Sequence, residues 1–68
     1  MTDNNLEGEL TAICAEMADT SNALEKVQRN LETYVRAKAP IAAIDMTRTS
    51  IEVLEKRLHN LRERLDQL

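Results

Sequence analysis

Two runs of apolar residues, spaced alternately three and four apart, flank the chain's single proline, Pro40. In the first run Leu10, Met17, Leu24 and Leu31 take heptad position a, and Leu6, Ile13, Thr20, Val27 and Tyr34 take d. In the second, Ile44, Ile51, Leu58 and Leu65 take a, and Thr47, Leu54, Leu61 and Leu68 take d. A sustained a/d repeat is the mark of a helix that buries one narrow stripe against another helix. Leu, Ala, Glu, Arg and Lys dominate, Tyr34 is the lone aromatic and no stretch alternates as a strand would. The fold class expected is therefore all-α.

Pro40 decides whether the two helices form one bent rod or fold back on each other. Proline removes an N–H and clashes with the carbonyl four residues earlier, and it suits the first position of a new helix. The stretch "RAKAPIAAI" has no Gly, Asn or Ser to mark a turn, so its local chemistry leaves both options open. The seams separate them. Carried through Pro40, the first register would place Asp45 at a and Arg48 at d, one residue out of phase with the real second seam. Folding back needs no such slip. When residues whose numbers sum to 78 are paired, every seam residue from Leu10 to Tyr34 finds a seam partner. Leu10 then meets Leu68, Met17 meets Leu61, Val27 meets Ile51 and Tyr34 meets Ile44, with both halves ending flush.

The expectation is thus a single unit over residues 1–68, an antiparallel two-helix coiled-coil hairpin with helices at about 5–38 and 41–67. Its seam is Leu10, Ile13, Met17, Leu24, Val27, Leu31, Ile51, Leu54, Leu58, Leu61 and Leu65. Asn4 and Glu7 have capping-box spacing at the start of the first helix. "DTSN", Asp19 to Asn22, is a run of poor helix formers, but the heptad phase passes through it unbroken and implies one continuous helix. Pro40 is expected to open the second.

Charge agrees with the hairpin. Residues 1–36 carry seven acids and three bases, residues 37–68 five acids and six bases. In a parallel pairing of two copies of the second helix, Arg57 and Arg62 would meet at like-charged flanking positions. Glu25, Glu32 and Glu52 have Arg29, Arg36 and Lys56 four residues on, the spacing of helix-surface ion pairs.

A chain of 68 residues has little capacity for a core of its own. With one cysteine and one histidine, it has neither an internal disulfide nor a four-ligand Cys/His zinc site to compensate. Assembly with other helices is what remains, as a homo-oligomer or within a hetero-oligomeric helical bundle. Apolar residues off the seam are where a protein partner would dock. Val35, Ile41, Ala42, Ala43, Met46 and Val53 gather at the Pro40 end, either as a partner-binding surface or as a packed corner. Ala12, Cys14, Ala15 and Ala18 form a smaller group beside Ile13 and Met17.

Other chemistries find little support. Cys14, beside the seam, reads as a small apolar filler. His59 lies about 7.5 Å from it along the axis in the 78-sum register, too far for a Cys–His dyad. The carboxylates are spread over outer faces with no cleft to tune one for acid–base work. No glycine-rich phosphate loop exists, Gly8 being the only glycine. The chain is read as no enzyme and as holding no cofactor. A net charge of -3 makes nucleic acid an unlikely partner, although Lys56, Arg57, Arg62 and Arg64 form a basic stretch interrupted by acids. No apolar run approaches the roughly 20 residues of a membrane span, so membrane insertion is not expected. "MTDNNLEGE" has neither the basic nor the apolar region of a signal peptide, and a single free thiol suits a reducing cytoplasm.

The function expected is that of a non-catalytic helical protein–protein interaction module, a small subunit or adaptor of a larger coiled-coil assembly. In size and two-helix layout the chain also resembles the small co-chaperones of type III secretion needle subunits. That architectural resemblance implies a hairpin that joins a second chaperone and helps shield an aggregation-prone needle protein. A third possibility is a small regulator that binds a nucleic-acid-binding protein, or RNA directly.

Overall fold

The computed structural model describes residues 2–68, with side chains from Leu6 onward. It contains two helices, α1 over Thr2–Arg36 and α2 over Ile41–Asp66, packed against each other as an antiparallel hairpin. The rod spans 56 × 15 × 12 Å between Cα atoms and has a radius of gyration of 16.0 Å. A compact domain of this length would have a radius near 11 Å, so much of the surface has no neighbour within the chain.

The α1 helix runs through Asp19–Asn22 without a break. Its backbone is already helical at Thr2, two residues before the expected cap at Asn4, whose side chain lies outside the described ones. At the other end α1 stops at Arg36, two residues earlier than expected, because Lys38 takes the left-handed conformation with φ 53°. The Ala39 N–H donates to the Tyr34 carbonyl at 2.9 Å and the Lys38 N–H to the Val35 carbonyl at 3.2 Å. These paired reversed bonds form a Schellman motif, which satisfies carbonyls that a helix end leaves without partners.

Pro40 follows directly and completes the reversal. Its φ of -54° and ψ of 144° are extended rather than helical, so it caps α2 instead of opening it as its first residue. Its carbonyl accepts from the Ala43 N–H at 3.0 Å and the Ile44 N–H at 3.3 Å. Proline fits here because its missing N–H falls where no intrahelical bond is possible, while its carbonyl starts the new ladder.

Burial follows the two seams. Ile13 and Leu61 are each 3% exposed, and Thr20 is the third buried residue. Met17, Leu24, Val27 and Leu31 on α1 are half-buried, as are Ile44, Thr47, Ile51, Leu54, Leu58 and Leu65 on α2. The Thr47 hydroxyl donates to the Ala43 carbonyl at 2.8 Å, which satisfies the polar group within its own helix. No ion pair joins the helices among the described residues, so apolar burial along the seam holds the hairpin together.

The ends are not flush. Residues equidistant from the loop stand level, which places Asp66, the last residue of α2, beside Thr11. The first nine residues of α1 therefore overhang by about 13 Å. Leu10, expected in the seam against Leu68, is exposed for this reason, and Leu6 with it. Leu68 lies beyond the end of α2 and is exposed too. Tyr34, in the layer beside the loop, is also open to water.

Candidate interaction surface

A two-helix hairpin has two broad faces. On one, heptad positions g and c of both helices flank the seam; on the other, positions e and b do. The six residues expected to bind a partner divide between them. Ile41 and Met46, five residues apart on α2, point about 140° away from each other around the helix axis. Met46 and Val53, seven apart, differ by only about 20° and form one stripe. Met46, Val53 and Ala43 thus belong to the g/c face, Val35 and Ile41 to the e/b face, and Ala42 to the outer edge of α2.

Exposure agrees with this division. Ile41 is 76% exposed, Met46 73% and Val53 60%; Val35 and Ala42 are also open. Ala43 is half-buried, unlike the other five, because position g lies against the neighbouring helix. The turn end is therefore not one continuous docking patch. It carries two apolar sites on opposite sides of the rod.

The faces differ in charge. The e/b face carries Glu25, Glu32, Asp45, Arg48, Glu52 and Glu55 along its middle and turn end. Over the same length, the g/c face has Lys26 as its one charge before Arg57. Two of its polar side chains are satisfied within the chain. The Thr33 hydroxyl donates to the Arg29 carbonyl at 3.1 Å, and the Ser50 hydroxyl to the Met46 carbonyl at 3.1 Å. Burying these two hydroxyls would strand no donor, whereas Lys26 and Asn30 would need partners from whatever covers the face. Towards the open end the face becomes charged, with Glu9, Glu16 and Asp19 on α1 and Arg57 and Arg64 on α2.

Of the three expected surface ion pairs, Glu25–Arg29 closes, at 3.1 Å. Glu32–Arg36 and Glu52–Lys56 do not come within pairing distance. His59 Nε2 instead lies 3.0 Å from Glu63 Oε1, a pair the sequence reading did not single out. Its i,i+4 spacing was the available signal. Cys14 is a free, exposed thiol at the edge of the e/b face.

Among the described residues there is no pocket, and no group of three side chains could hold a metal ion. No helix is long and apolar enough to cross a membrane. Comparison with family models, with curated proteins and with solved structures finds no match to this chain.

Proposed function

We propose that this chain is a non-catalytic helical interaction module, a small subunit or adaptor that completes its core by packing against further helices. The observation that supports this most directly is unburied surface. The hairpin has an accessible area of 5537 Å² for a mass of 7.7 kDa. A compact monomer of that mass has about 4,300 Å². The excess, about 1,200 Å², is of the order of what one partner loses in a standard protein–protein interface. Among the described residues only Ile13, Leu61 and Thr20 are buried, a core too thin to be expected to hold alone.

The test is a helix melt of the purified chain from about 1 to 100 μM, followed by circular dichroism. A module that needs further helices gives either a midpoint that rises with concentration or a weak, non-cooperative melt of the chain alone. A cooperative, fully helical melt that is independent of concentration would contradict the reading.

A further inference from the structure

We infer that the partner for the g/c face is a second copy of this chain, docked face to face with both turns at the same end. This rests on the reading of the chain as a module that completes its core with other helices. Three observations point to a copy and to that arrangement.

The first is charge. On this face the open-end half of α1 is purely acidic, with Glu9, Glu16 and Asp19, and the open-end half of α2 purely basic, with Arg57 and Arg64. A two-fold axis along the rod lays α1 of each copy over α2 of the other, with Glu16 and Asp19 near the levels of Arg64 and Arg57, while Glu9 lies in the overhang. Opposing the turns would instead stack α1 on α1 and α2 on α2. Glu16 would then face the uncharged Asn30, Asp19 would lie near Lys26, and Met46 would lie over the Asn60–Arg64 region. The turn-aligned dimer sets acids over bases at the open end and keeps the apolar turn ends together, whereas the opposed one places Met46 against the charged open end.

The second is shape. Met46 is level with Leu31 and Val53 with Leu24. With the turns aligned, Met46 would lie over the partner's α1 in the region of residues 30–33, and Val53 over the region of residues 23–26. On this face those regions present the small Ala23 and Thr33, which let a helix approach closely, beside Lys26 and Asn30, whose polar ends would have to reach the rim. The inward-bonded hydroxyls of Thr33 and Ser50 reduce the polar cost of closing the face.

The third is area. Over the length of α2 the face measures about 39 Å by two helix widths, roughly 800 Å². This matches the share that each partner loses in a standard interface. Each helix in the resulting four-helix bundle would have antiparallel nearest neighbours.

The experiment combines sedimentation equilibrium with a spin-label distance. The chain is expected to show twice its monomer mass. Met46→Glu and Val53→Glu are each expected to weaken association at least tenfold. Ile41→Glu, which alters an equally exposed residue on the other face, is expected to leave the mass unchanged. A label at Ala42→Cys in a Cys14→Ser background then reports orientation. Turn-aligned copies place the two labels within about 25 Å, whereas opposed turns separate them by about 35 Å or more along the axis. A dimer that Ile41→Glu breaks and Met46→Glu does not, a long distance, or a larger oligomer would overturn the inference. A chain that stays monomeric and melts without cooperativity would also overturn it, while leaving the need for a different partner intact. A stable, cooperative monomer would overturn both.

Discussion

Replacing Lys38 by glycine separates a chain reversal from a bent helix, because the two geometries respond with opposite signs. In the hairpin Lys38 holds φ 53°, a conformation that costs a residue with a Cβ about 1–2 kcal/mol. Glycine adopts it freely. The mutant also gains backbone freedom when unfolded, which offsets about 0.4–1 kcal/mol of that relief. The bonds that define the turn, Ala39 to Tyr34 and Lys38 to Val35, are backbone to backbone and survive the change. Lys38 makes no side-chain hydrogen bond or ion pair among the described residues, so the substitution removes no observed polar contact. The net expectation for Lys38→Gly is a stabilisation of about 0.5–1 kcal/mol, or several degrees in the melting midpoint of a chain this size. Lys38→Val, which puts a β-branched side chain in the same conformation, is expected to destabilise by a comparable amount. Both are read from urea and thermal melts at one fixed chain concentration. If Lys38 lay inside a continuous helix, glycine would instead destabilise by up to about 1 kcal/mol. That result would refute the turn.

Other outcomes follow from the same packing. Leu61→Ala, at a buried seam position, is expected to cost about 2–4 kcal/mol, whereas Leu10→Ala in the overhang should cost less than about 1 kcal/mol; paired denaturant melts compare them. Thr20→Val keeps the shape of a buried seam residue and removes its hydroxyl, and a melt should show stabilisation of about 1 kcal/mol. Glu25→Ala removes an exposed ion pair with Arg29 and is expected to change stability by less than about 0.5 kcal/mol, with the difference vanishing in high salt.

Much of the fold was legible because heptad phase is a long-range signal. The seams continued through Asp19–Asn22, where propensity suggested a break, and their mismatch across Pro40 pointed to reversal when the local residues did not. The turn itself was less legible. A Schellman motif normally announces itself by glycine or asparagine at its left-handed position, and here that position is Lys38. The overhang of α1 escaped the pairing scheme because matching every seam residue assumes that both helices extend to the last apolar position. Leu68 is apolar and in phase, but α2 closes at Asp66 with Gln67 as its cap, so Leu68 lies outside the helix. At the candidate surface the sequence left a docking surface and a packed corner both open; five of the six residues are exposed and Ala43 is half-buried, and their division into two faces was not read. That division was within reach, since Met46 and Val53 share a heptad position and Ile41 does not.

The reversal at Lys38–Pro40 underlies every other statement about surfaces, and one intrachain distance measures it. Cys14 is exposed, and Arg62 is exposed close to its level on α2. Spin labels at Cys14 and Arg62→Cys, with labelled chains diluted into an excess of unlabelled chain, report that separation alone. A hairpin requires a distance below about 25 Å, the helix-packing distance plus the reach of two labels. A helix that continued through Pro40 would separate the labels by about 72 Å, and a distance anywhere near that value would contradict the fold and the surfaces built on it.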